Sequence, residues 1–160
     1  FKLSGKKNLR LKPQFILHFP LHDEFEFINA SGPLELIGNH TEHQEGHAFV
    51  CDINLDTLSS ACPKNKQIIR HYSLGYKSVT LDCHNLLFNK DEANTTLGLL
   101  NGLSFYFSHH ARLSGVGIVV KSNINAVSGL SSLASFKCFI LIIFNTFFYQ
   151  ENPLSPLEIA

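Results

Sequence analysis

The densest group of metal-ligand side chains in this 160-residue chain is Asn39-His40-Thr41-Glu42-His43-Gln44-Glu45-Gly46-His47. His40, His43 and His47 are spaced by three and four, which on a helix would put them on one face around a transition metal. Gly38, Thr41 and Gly46 oppose a helix here. The segment therefore reads first as a solvated polar loop, with a weak zinc or nickel site as the alternative. His109-His110 and Cys83-His84 are sequence neighbours, so in a strand their side chains diverge. The first pair cannot share a metal, and the second cannot act as nucleophile and base. Cys83 reads as a buried thiol. Ser114-Gly115 and Ser128-Gly129 lack the G-x-S-x-G frame of a nucleophile elbow. Gly115-Val116-Gly117 sits between two expected strands, whereas phosphate-binding glycine loops lead into a helix; a hairpin turn is the simpler reading. Arg112 and Lys121 flank that turn and are the candidates for touching a phosphate backbone, although two charges are few for binding.

The elements that would position these residues are mostly strands. Residues 1–14 read as a basic lead-in ending at Pro13. Phe15–Phe19, Phe25–Ile28, Ala48–Ile53 and Ser78–Asp82 read as strands from their apolar runs and alternation. Asn29–Pro33 has turn chemistry, and Asn54–Asn65 reads as a loop. Lys66–Tyr72 is expected as a short helix, and 89–100 as an acidic loop holding a helical turn. Ser104–Ser108, Ile118–Ser122 and Ser135–Phe144 complete the set as three further strands. Helices falling between strands give an α/β pattern.

Composition narrows the function classes. Net charge is +0 and charged residues are 16%, so no global field attracts nucleic acid or an anionic membrane. Hydrophobic content of 44%, with 14 Phe, is enough for a packed core. The four cysteines show no C-x-x-C spacing and read as reduced structural thiols. The run Cys138–Tyr149 is too short to span a bilayer. Three glycosylation sequons, at Asn29, Asn39 and Asn94, come with no signal segment, which favours an intracellular over a secreted protein. The chain begins at Phe1 and has no Met, which reads as a processed product or a fragment.

Several local pieces carry a family resemblance. Ile53-Asn54-Leu55-Asp56-Thr57-Leu58, Asn65-Lys66 with Ile68–His71, Val79–Leu86, Phe105–Lys121 and Ser135-Phe136 occur in order. Together they resemble the N-terminal half of an endonuclease/exonuclease/phosphatase domain, most closely the endonuclease of LINE-type retrotransposons. The resemblance implies a layered β-sandwich flanked by short helices, incomplete here; a small mostly-β domain is the alternative. It implies phosphodiester hydrolysis on DNA with Mg2+. It assigns a catalytic role to Asn54, and makes Asp82 the nearest acid for catalysis or metal. Arg112 and Lys121 would meet nucleic acid.

The departures weaken that activity. The family's metal-binding Glu falls here on Cys83 or His84, poor ligands for magnesium. The second catalytic half has no counterpart. The expectation is thus an inactive or weakly active nuclease remnant, with a non-enzymatic β-rich binding or structural domain as the alternative. Residues 1–47 would be an extension of uncertain fold, 48–149 the partial domain and 150–160 a tail. No membrane contact is expected, and an exposed Phe136–Phe144 strand would promote self-association.

Overall fold

The computed structural model of the chain describes residues 5–22, 24–38, 46–87, 89–124, 132–151 and 153–159. One five-stranded sheet organises them: β1 (Glu26–Ile37), β2 (Phe49–Lys64), β3 (Ile68–Ser73), β4 (Val79–Asp82) and β5 (Gly115–Ser122). The strand order is β1-β2-β5-β3-β4. β5 runs antiparallel to β2 and parallel to β3, and the outer pairs are antiparallel. Helix α1 (Gly5–His18) covers one face. Helices α2 (Thr96–Ser108) and α3 (Ser132–Phe148) cover the other, and a short α4 (Pro156–Ile159) follows.

Strand alternation divides the core in two. Val116, Ile118 and Val120 of β5 join Ile69, Leu81, Leu100, Phe107, Phe139, Ile143 and Phe144 in the larger cluster. Val119 turns the other way and packs with Leu58, Cys62, Leu11, Phe15 and Phe19. Leu11, Phe15 and Phe19 recur every four residues, the stripe that seats α1 on the sheet. Gly117 lies between them: a Cβ there would stand 2.5 Å from Phe19 Cζ. The ammonium of Lys64 sits 4.2 Å from the centroid of the same ring.

This single sheet with helices on both faces is not the layered β-sandwich that the nuclease resemblance implied, nor a mostly-β domain. Three segments read as strands are helical. Phe15–Phe19 belongs almost wholly to α1, with Pro13 tolerated inside that helix on an exposed position. Ser104–Ser108 ends α2, which begins where Thr95 accepts a hydrogen bond from Gly98 N at 3.0 Å. Ser135–Phe144 lies within the 17-residue α3, with Phe139, Ile140, Ile143 and Phe144 buried against the sheet rather than standing at an edge.

Three segments read otherwise are strands. Asn54–Asn65 is largely β2, where residues 56–62 are all buried because β1 and β5 flank the strand and helices cover both faces. Lys66–Tyr72 overlaps β3. Asn29–Pro33 is a bulged stretch of β1, with the register shift between Ser31 and Gly32. β1 thereby joins part of the expected N-terminal extension to the sheet. Ser78–Asp82 matches β4, but Ile118–Ser122 is only the second part of β5: Gly115-Val116-Gly117, read as a hairpin turn, is the buried start of that strand, paired with β2 on one side and β3 on the other. The four cysteines are free. Among the described residues no helix is long and apolar enough to cross a membrane.

Candidate functional site

A cavity of about 680 Å³ opens between α2, the 3-10 turn Lys90–Glu92 that precedes it, and the sheet face carrying β3 and β5. Ligand pockets generally run roughly 300–1,000 Å³. The local sequence fixes its outer wall. Asn89 caps the 3-10 turn by accepting from Asp91 N at 3.1 Å, and Thr95 starts α2. Gly98 has no room for a Cβ against the carbonyl oxygen of Glu92. Asn101 then donates from Nδ2 to Leu87 O at 2.8 Å, tying the helix to the chain that leads into the turn.

The sheet supplies the floor. Thr57 of β2 and Ser122 of β5 are joined by a hydroxyl–hydroxyl hydrogen bond of 3.0 Å. His71 of β3 is 1% exposed and also lines the cavity. Phe136 meets its ring edge-on at 5.4 Å, and Phe139 lies nearly parallel at 6.4 Å. Among the described residues neither ring nitrogen of His71 has a hydrogen-bond partner. Leaving a buried polar group unpaired costs on the order of 1–3 kcal/mol. Burial also pushes the His71 pKa down to about 4, so the ring is neutral near pH 7 and offers one donor and one acceptor.

The residues singled out from sequence lie elsewhere. Asn54 is exposed on β2 at the bulge opposite Ser31 and Gly32, and Asp82 is exposed at the end of β4. β5 and β3 stand between those two strands, so the structure does not bring Asn54 and Asp82 together. Asp82 and Arg112 do share a second, open cavity of about 640 Å³ with Lys66, Gln67 and His84. Lys121 lies near the far end of β5, paired with Leu58. His47 is exposed, while His40 and His43 lie outside the described residues. Among the described residues no group of three or more His, Cys, Asp or Glu side chains could hold a metal ion. The Cys83 thiol is pushed up to about 11, first by burial and then by the Asp82 charge, so it is protonated and not a nucleophile at neutral pH.

Sequence reasoning missed His71, Thr57, Asn101 and Ser122. A signal for His71 was present: Ile69 and His71 alternate with Arg70 and Tyr72, which marks an inward histidine once β3 is read as a strand. A second signal was the run Val127-Ser128-Gly129-Leu130-Ser131-Ser132, a glycine- and serine-rich stretch that leads into α3. Small residues ahead of a helix N-terminus are a general sequence cue for phosphate binding. Residues 125–131 lie outside the described residues.

Comparison with known proteins points away from nucleases. The galactokinase galactose-binding signature matches residues 14–63, from the middle of α1 through β1 to the end of β2. A galactokinase of Bacillus subtilis is 30% identical over 146 residues, covering 88% of this chain and 37% of that protein. One from Streptococcus suis is 33% identical over 139 residues, covering 84% and 35%. The chain thus spans a little over a third of the length of the curated relatives it matches. The crystal structure of Lactococcus lactis galactokinase complexed with galactose superposes with a TM-score of 0.84 over 96% of this chain and 40% of its own, at 22% identity. The Methanococcus jannaschii mevalonate kinase superposes with a TM-score of 0.66 over 86% of this chain and 44% of its own, at 17% identity. The fold is therefore the one these kinases share. These likenesses overturn the readings of a retrotransposon endonuclease, of DNA as substrate and of an endonuclease/exonuclease/phosphatase fold. The pieces behind them were short and reused residues that the fold places in other elements.

Proposed function

We propose that this chain is the galactose-binding part of a galactokinase-like sugar kinase, acting in transfer of a phosphoryl group from a nucleoside triphosphate to the sugar. The observation that carries the reading is the galactose-binding signature over residues 14–63, lying on α1, β1 and β2 of a fold shared with a galactokinase solved with galactose. The glycine- and serine-rich stretch ahead of α3 adds support, since phosphoryl transfer needs phosphates held by backbone N–H groups.

Phosphoryl transfer is mainly positioning plus neutralisation of phosphate charge. Here β1 and β2 would hold the sugar, and the N-terminal end of α3 would face phosphate. Mg2+ would supply charge neutralisation. The working compartment would be intracellular, where nucleoside triphosphates are found.

Calorimetric titration of the folded chain with galactose and with glucose tests the reading. Saturable binding of galactose, stronger than that of glucose, is expected. A chain that is folded by circular dichroism yet gives no heat and no thermal protection with galactose would overturn it.

A further inference from the structure

We infer that the second cavity, at the far end of the sheet, is a binding site for a small hydroxylated phosphate monoester, the class to which sugar phosphates belong. Arg112 and Lys66 would hold the phosphate, and Asp82 would receive hydroxyl groups. The two cavities lie at opposite ends of β5. Ser114, just before that strand, lines the second, and Ser122, its last residue, lines the first. At about 3.3 Å per residue, this strand of eight keeps them more than about 20 Å apart.

Three stretches of chain meet at the second cavity, and hydrogen bonds fix their backbones. Gln67 Nε2 donates to Leu113 O at 3.2 Å, Ser114 Oγ donates to Lys64 O at 2.9 Å, and Cys83 N donates to Gln67 O at 2.9 Å. Gly115 leaves no room for a Cβ against Lys66 O, so the loop before β5 lies directly on the turn after β2. The side chains of Lys66 and Arg112 take no part in these bonds, and among the described residues neither makes an ion pair. A rim that is already ordered loses little freedom when a ligand arrives.

The lining narrows the ligand. Two fixed cations accompany one carboxylate, which leaves a positive excess. Arginine offers a planar fork that meets phosphate through two hydrogen bonds, and lysine adds a point charge. One oxygen of Asp82 accepts from His84 N at 2.9 Å; an exposed carboxylate there also accepts O–H donors and disfavours a second anion. The cavity, about 640 Å³, is far larger than a bare phosphate, and Asn65, Gln67 and Ser114 line the remainder with amide and hydroxyl groups. The inference does not depend on the sugar-kinase reading.

The test follows the amide spectrum of the nitrogen-15-labelled chain by NMR during titration with glucose 6-phosphate, galactose 1-phosphate, inorganic phosphate and galactose. At least one of the sugar phosphates should shift the Gln67 and Ser114 amides saturably, and more tightly than inorganic phosphate does. Arg112→Gln should weaken that binding by about tenfold, the loss of charge-assisted hydrogen bonds. Arg112→Lys, which keeps the charge without the fork, should recover only part of it. Asp82→Asn should narrow the gap between sugar phosphate and inorganic phosphate. Both side chains are exposed, so the variants should fold, and the mapping on the unaltered chain needs none of them. No shift at Gln67 and Ser114, shifts confined to residues of the first cavity such as Thr57 and Ser122, inorganic phosphate binding as tightly as the sugar phosphates, or unchanged binding by Arg112→Gln would overturn the inference. A chain that galactose leaves unmoved would instead sink the sugar-kinase reading and leave this site standing.

Discussion

Gly117 of β5 and Phe19, just past the end of α1, share a space that has room for one of them to carry a side chain. A Cβ on Gly117 would lie 2.5 Å from Phe19 Cζ and 2.6 Å from Cε1. The ring fills that space, packs on Phe15 at 5.2 Å and receives the Lys64 ammonium. The docking of α1 against the sheet therefore depends on an absent side chain as much as on the apolar ones present.

Gly117→Ala should destabilise the chain by about 1–3 kcal/mol, the range for overpacking a filled core. Urea unfolding measures it. Adding Phe19→Leu should recover part of the loss, because the two sites share one volume and will not be additive. Strict additivity in that cycle would mean the contact is not the cause.

Stability should depend on pH through His71. Its folded pKa is about 4, against an ordinary value of 6.5, because burial disfavours the charged ring. Between those values the unfolded chain binds more protons than the folded one. The contribution is full above about pH 6.5 and is lost as pH falls toward 4, an effect on the order of 3 kcal/mol. The stability difference between the unaltered chain and His71→Leu, measured by urea unfolding from pH 7 to pH 4, should move by that amount in favour of the variant. A difference that stays flat across the window would assign the low-pH loss to other groups.

Asn145 holds the segment after α3 in place. Its Nδ2 donates to Leu154 O at 3.2 Å, and its Oδ1 accepts from Leu154 N at 2.8 Å. Asn145→Ala should cost about 1–3 kcal/mol by unpairing two half-buried backbone groups. Hydrogen exchange should show Leu154 N–H losing protection, with the amides of β5 unchanged.

Thr95→Ala should remove the α2 cap at a cost of about 1 kcal/mol. Because α2 walls the His71 cavity, the same change should loosen the N-terminal turn of that helix. Exchange at Gly98 N–H, whose partner is Thr95 Oγ1, reads this directly. Protection at Gly98 equal to that of the unaltered chain would show the cap to be dispensable.

What the sequence disclosed, and what it hid, follows from burial. Ile118–Ser122 and Val79–Asp82 were legible because short β-branched runs between breakers have few readings. α3 was obscured by its composition: Phe and Ile favour strands, and its apolar residues surround the helix instead of forming one stripe. Its length was the overlooked cue, since buried strands rarely continue so far. In α2 the run Phe105-Tyr106-Phe107 mimicked alternation, yet Leu100, Ser104 and Phe107 are buried at helical spacing. β2 looked like a loop because Thr57, Ser59 and Ser60 are small and polar. Ser59 is accommodated in the interior by donating to Ile28 O at 3.2 Å. The His71 cavity was illegible for a related reason: it joins β3, β5, α2 and α3, and only the sheet order makes them neighbours.

That sheet order also sets a sequence of assembly. β5 is central in space but late in the chain, following β1 to β4 and α2. A nascent chain therefore emerges with β2 and β3 each presenting an open edge toward a gap that nothing yet fills. β1 and β2 are both synthesised before β5, whereas closure must wait for contacts such as Thr57 with Ser122, which are 65 positions apart. Such distant pairings are slow, and unpaired edges recruit foreign strands in the interval. Folded yield should therefore respond to synthesis speed, temperature and chaperone supply during that interval, as well as to the stability of the finished domain.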